Sequence, residues 1–260
     1  MPIMRITGLI CGVVLSLALL GNTAHATTYP IRDRVLTANK LYSAGELQAS
    51  RCTERKVKPN DVALAKSYLT KVFNCLNTSW GAYFKRAGLP FSPAAIGFIT
   101  KKKRFCGEAW GGAAGKYCPA ERRFVILLDK DLLADPSDLF LFGLAAHEYG
   151  HHLQNITGID RAYEEHPYSG KNELNEQSRR GELQAECLAG VFIGSVWDSL
   201  DRTEEDWEYM LDVQRESGDE HTKVRDHGKG RNIAAWLNRG FEAVSPAACN
   251  TWAASSAKVS

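Results

Sequence analysis

The 260-residue chain has no excess of one charge. Its 32 basic residues stand against 30 acidic ones, a net +2, which gives neither nucleic acid nor an anionic membrane surface an electrostatic footing. No apolar stretch reaches the roughly 20 residues that a membrane-spanning helix needs. No two cysteines have C-x-x-C spacing, which argues against a thiolate zinc site. The glycine-rich segment 107–115 lacks a G-K-[ST] ending, so it is not a phosphate loop. There is neither an internal repeat nor a linker long enough to divide the chain.

What is present is ordinary for a globular protein: 44% hydrophobic, 24% charged and 10% aromatic residues. That composition excludes disordered, collagen-like and coiled-coil classes. Residues 1–26 have the layout of a secretory signal. Arg5 lies before an apolar run of about 12 residues from Leu9 to Leu20, and Ala24-His25-Ala26 provides an A-x-A cleavage site. A protein secreted or placed in the periplasm or cell envelope is therefore expected, cleaved near Ala26 and without stable membrane insertion. Cys11 leaves with the signal. Cys52, Cys75, Cys106, Cys118, Cys187 and Cys249 remain, an even number that suits up to three disulfides in an oxidising compartment. Cys106 and Cys118 are the first pair expected.

Helical periodicity begins after Asn60 or Asp61, carried by Leu64, Tyr68, Leu69, Val72, Phe73, Leu76, Trp80, Tyr83 and Phe84, and stops at Gly88-Leu89-Pro90. Residues 123–128 are the best strand. Asp135-Pro136 offers a start for a helix running to about Gln154, apolar on every side in its first half and so buried. Further helices are expected at roughly 173–200, 204–216 (after a Thr203–Asp206 capping box) and 231–242, with a frayed tail at 253–260.

The buried helix contains His147-Glu148-Tyr149-Gly150-His151, an H-E-x-x-H. Four residues on a helix are about 40° of rotation and 6 Å of rise, so both rings point the same way and can share one zinc ion. Glu148 lies beside them, placed to act as general base on a water activated by the metal. With seven histidines and 17 glutamates, a shuffled chain would contain about 0.01 such motifs. His152 faces about 100° away from His151 and is expected behind the site or on the surface.

Zinc needs a third protein ligand and an open position. His166, Glu173, Glu176, Glu182, Glu186, His221 and His227 are candidates. Glu182 and Glu186 share a helix face with the small Ala185 and Ala189, which suits close approach of a second helix. This favours Glu182 as ligand, with Glu186 orienting a ligating histidine. The plainer alternative is a solvated acidic face balanced by Arg179 and Arg180. His227 or Tyr149 is a candidate donor to the oxyanion of an acyl-transfer reaction.

His147–Gln154 (HEYGHHLQ) and Glu182–Gly190 (ELQAECLAG) resemble the bacterial neutral zinc metallopeptidase family. Its patterns are H-E-x-G-H-H-x-Q and E-L-Q-A-D-C-x-A-G, and it is itself similar to gluzincins. Tyr117-Cys118-Pro119-Ala120, Asp226-His227-Gly228 and Asn238-Arg239-Gly240-Phe241 extend the resemblance over roughly residues 105–250. Leu41-Tyr42-Ser43-Ala44-Gly45 is a weaker match. The resemblance implies one Zn²⁺ per chain on His147, His151 and Glu182, with Glu148 catalytic and a peptide or protein as substrate. It also implies a mainly helical α+β, zincin-like fold with a small sheet. One domain is expected over 27–252, with a helical part at 27–100 and the zincin-like core at 101–252. Glu186 departs from the family, which usually has Asp there. Beside the peptidase reading stand a hydrolase of a non-peptide amide, a non-catalytic zinc scaffold, and a disulfide-held module without metal. The 123–128 strand is expected to offer an edge to an extended peptide.

Overall fold

The computed structural model describes residues 31–134 and 136–260, with the side chains of Asp138 and His221 left aside. The expected signal segment, its cleavage point and Asp135 as a cap lie outside the described residues.

The chain opens with a short helix, α1 (Arg34–Thr37), capped by Asp33. The long helix α2 (Val62–Arg86) follows, with Asp61 accepting from the Leu64 amide as its N-cap. Its aromatic stripe, including Tyr68, Trp80, Tyr83 and Phe84, is buried, as its spacing predicts. Three strands come next: β1 (Ala95–Ile99), β2 (Gly115–Cys118) and β3 (Arg123–Leu127). They form one sheet in the order β1-β3-β2, with β1 parallel and β2 antiparallel to β3. The expected strand is therefore central. It has no free edge for a peptide, a correction to the expectation above, and the sheet's edges belong to β1 and β2.

A four-residue helix, α3 (Lys130–Leu133), leads to α4 (Asp138–Ile156). Ser137 accepts from the Phe140 amide and caps α4, two residues beyond the expected start. Then come α5 (Ile159–Glu164), α6 (Lys171–Val196), α7 (Glu204–Arg215) and α8 (Gly230–Ala243). The capping box of Thr203 and Asp206 forms at the start of α7. The fold is mainly helical α+β with a small sheet.

One apolar core runs from Ile31 to Val259 and joins α2, α4, α6, α7 and α8 to one side of the sheet. A satellite cluster of Ile99, Phe105, Trp110, Cys118, Val125 and Leu127 lies on the other side. β1 pairs along its whole length with β3, so a boundary at residue 100 would separate hydrogen-bonded strands. Disulfides join Cys52–Cys75, Cys106–Cys118 and Cys187–Cys249. The C-terminal residues, expected to fray, are anchored instead. Val259 is fully buried, Arg179 donates to its carbonyl, Trp236 donates to that of Lys258, and Asn232 to that of Ser260. Among the described residues, no helix is long and apolar enough to cross a membrane.

Candidate metal centre

The centre lies where α4 crosses α6. Gly150 makes the crossing possible: a Cβ there would lie 2.7 Å from the Ala185 backbone. The small residues at 150 and 185 thus bring the helix carrying the histidines against the helix carrying the acids. His147 Nε2 and His151 Nε2 are 3.2 Å apart. Glu182 Oε2 is 3.4 Å from the first and 3.3 Å from the second. A tetrahedral zinc ion with bonds of roughly 2.0–2.1 Å separates its ligands by about 3.3–3.4 Å. The three atoms therefore form one face of a tetrahedron of the right size, and they are a group able to hold a metal ion.

The opposite side of each ring is tied down. His147 Nδ1 donates to Glu186 Oε2 at 2.8 Å. His151 Nδ1 donates to Gln154 Oε1 at 2.9 Å. Each bond fixes a tautomer that leaves the Nε2 lone pair facing the centre. Gln154 is itself oriented, because its amide donates to the Gly181 carbonyl and to Gln184 Oε1. Gln184 in turn donates to Tyr42 Oη and the Cys249 carbonyl. Gln154 was missed as a positioning residue, although it stands at the last position of H-E-x-G-H-H-x-Q, one helical turn after His151.

The electrostatics favour a cation. Burial works against charge on Glu182, but the His151 charge and hydrogen bonds from both histidines outweigh it and hold its carboxyl well below the ordinary range. Burial pulls His147 down, yet the bonds and charges of Glu182 and Glu186 leave it well above an ordinary histidine. His151 is raised in the same way, mainly by Glu182.

Glu148 is almost fully buried, and its Oε2 has no hydrogen-bond partner. Burial pushes its carboxyl up, with the nearby His151 and His147 charges pulling it back. Gly115 of β2 makes room for this carboxylate, since a Cβ at 115 would sit 2.5 Å from Glu148 Oε1. An unpaired buried carboxylate oxygen is costly, so this atom calls for a partner arriving in the cleft.

His227 reaches the centre from the turn before α8, with Nε2 3.7 Å from Glu182 Oε2. Its Nδ1 bonds Asp226 Oδ1 at 2.7 Å. Asp219 holds this turn by accepting from the Gly228 amide and donating its own amide to the Gly228 carbonyl. Of the other candidates, Glu173 binds the Ser169 amide and Glu176 pairs with Arg180, so neither joins the centre. The solvated acidic face does not form either: Arg180 is buried and donates to Thr251 and Ala254 carbonyls, and Arg179 is occupied by Val259 and Arg225 carbonyls. Tyr149 points into the core, where its hydroxyl donates to Asn77 Oδ1, which removes it as an oxyanion donor. His152 is also in the core. It donates to the Ser92 carbonyl and accepts from Tyr117 Oη. Burial, partly countered by the Ser92 carbonyl, lowers its pKa to about 4.

Two metal-directed histidines, an acid from a second helix and an unpaired carboxylate beside them define a site of the zinc-hydrolase class. The chain belongs to the family described as "Putative neutral zinc metallopeptidase", whose model matches residues 7–252. It is 27% identical over 225 residues to the uncharacterised protein YpfJ of Escherichia coli (strain K12), covering 80% of this chain and 78% of that one. It is 24% identical over 178 residues to the uncharacterised protein Rv2575 of Mycobacterium tuberculosis (strain H37Rv), covering 57% and 58%. No solved structure matches.

Proposed function

We propose that the protein is an exported zinc peptidase that cuts peptide bonds with Glu148 as general base. The observation that carries this is the unpaired Glu148 oxygen beside a ligand triangle of zinc dimensions. A scaffold site needs no such carboxylate and closes its metal with four protein ligands. His147, His151 and Glu182 are the residues to hold one zinc per chain. When bound, zinc polarises the scissile carbonyl and acidifies a water molecule.

The chain's own groups do the rest. Glu148 accepts the proton of the attacking water and delivers it to the leaving amine. Its burial holds its pKa up, which suits a group that must both take and release a proton. His227, fixed by Asp226, donates from Nε2 to the carbonyl oxygen as negative charge develops there. Glu186 and Gln154 keep the two rings in register. In the β2–β3 register, Lys116 and Cys118 bond across to β3, so the amide and carbonyl groups of Gly115 and Tyr117 point outward. That edge, next to Glu148, is the place for an extended peptide to pair. Export agrees with three disulfides in the described residues.

The test is to profile cleavage of a diverse peptide mixture by zinc-loaded protein beside Glu148→Gln. Cuts should fall by roughly 10²–10⁴ in the variant while it keeps its zinc. Equal cutting by both proteins removes Glu148 as base, and no cutting by either rejects the peptidase reading.

A further inference from the structure

Beside the triad a cavity of about 460 Å³ opens. Among the described residues, its charged or titratable lining is His147, Glu182, Glu186 and His227, all of which belong to the centre. The walls are Phe140 and Leu144 of α4, Leu183 of α6, Ile233 of α8, and Gly112 and Ala114 of the loop before β2. Gln214 and Ser217, the remaining polar residues, are uncharged. Among the described residues, no charged group outside the centre lines the cavity to pair with a lysine, arginine, aspartate or glutamate side chain, and desolvating one here would be costly.

The glycine-rich loop acquires a purpose in this setting. It is fastened to the sheet by the Cys106–Cys118 disulfide and by Trp110, which is buried in the satellite cluster and donates to the Ala113 carbonyl at 2.7 Å. The wall it forms is thereby held at a set distance from α4. A Cβ at Gly112 would meet nothing within 4 Å, and its φ lies outside the left-handed region. The backbone therefore does not require glycine at 112; what glycine leaves there is space.

We propose that this cavity receives a large aliphatic or aromatic side chain of the substrate next to the scissile bond, and that Gly112 sets its capacity. The proposal rests on the peptidase reading for the scissile bond, although the binding preference can be measured without turnover. Each methylene buried in such a cavity multiplies affinity by roughly fourfold, so Leu or Phe should exceed Ala by roughly 10- to 100-fold.

The experiment uses zinc-loaded Glu148→Gln and blocked alanine pentapeptides in which each position in turn is Leu, Phe, Lys or Asp. Dissociation constants are measured directly, and the same peptides are offered to the active protein for cleavage. At one position Leu or Phe should bind at least tenfold tighter than Ala, with no gain for Lys or Asp. Adding Gly112→Leu should bring the Leu-to-Ala ratio near one. Leu144→Gln, on a different wall, should lower it as well and guards against a disturbed loop in the first variant. An apolar preference untouched by both substitutions overturns the assignment to this cavity. Cleavage without any side-chain preference overturns the cavity and leaves the peptidase intact. Apolar-selective binding with no cleavage by the active protein upholds the cavity and rejects the peptidase. No binding of any peptide overturns both.

Discussion

Helix α4 carries two polar clusters within two turns, and they behave in opposite ways. On one side, Tyr149 and His152 lie in the core with every polar atom matched. Tyr149 is bonded to Asn77, and His152 to Tyr117 and Ser92. On the other side, Glu186 and Gln154 hold His147 and His151 by their outer nitrogens. Their inner nitrogens face each other and Glu182 across a space of zinc size, while Glu148 keeps an oxygen unpaired. Residue types do not separate the clusters, since each has histidine on the same helix. Satisfaction does: a polar group paired within the protein is holding the fold, whereas convergent groups left short of a partner are shaped for something that arrives.

The largest effect should come from Glu182. Replacing it with Gln keeps the volume but removes the charge that completes the triangle. Zinc affinity should fall by more than the roughly 10–100-fold typical of a supporting residue. A competition titration with a chromophoric chelator measures this directly. Thermal unfolding gives a second reading. Chelation should lower the midpoint of the native protein, because a ligand that binds only the folded state stabilises it, and should leave Glu182→Gln nearly unmoved. If the variant holds zinc as tightly as the native chain, the triangle is not the metal site.

A middle effect is expected at Gln154, the link between the centre and the matched interior. Gln154→Leu removes the acceptor for His151 Nδ1 and the side-chain donor to the Gly181 carbonyl and to Gln184 Oε1. Zinc affinity should drop roughly 10–100-fold, and stability by about 1–3 kcal/mol for the lost buried hydrogen bonds. Gln154→Glu, which keeps an acceptor for His151, should restore most of the zinc affinity even where stability stays low. A purely structural role would show no such rescue.

How much of this was readable in sequence follows from the range of the interactions. The histidine pair and Glu148 depend on helical spacing alone, so five consecutive residues announced them. Glu182 and Glu186 needed only the further inference that small residues let two helices meet, and Gly150 against Ala185 is that contact. β1 and β2 were not legible. They are five and four residues long, and glycine at 97 and 115 weakens the local strand signal. Gly115 is glycine because a carboxylate 33 positions away fills its side-chain space. The tail looked loose because its anchors, Arg179, Trp236 and Asn232, are distant in the chain. Tyr149 is excluded by helical geometry alone. Two residues beyond His147 is about 200° around a helix, which already turns it away from the metal.

The smallest effect should therefore come from Tyr149→Phe. The ring stays in the core, and only the hydroxyl that donates to Asn77 Oδ1 is lost. Asn77 Oδ1 still accepts from the Ala94 amide at 3.1 Å, so no buried acceptor is orphaned, and the cost should be about 1 kcal/mol. Denaturant unfolding should show that shift in midpoint with an unchanged slope. Cleavage per folded molecule and zinc affinity should stay within about twofold of the native protein, since a lost oxyanion donor would instead cost roughly 10²–10³ in turnover. His227→Ala, on the open side of the centre, should show the reverse pattern, with little change in stability and a large fall in turnover. If Tyr149→Phe were instead the variant that lost turnover, the division of α4 into a matched side and an unmatched one would fail at the residue that states it most sharply.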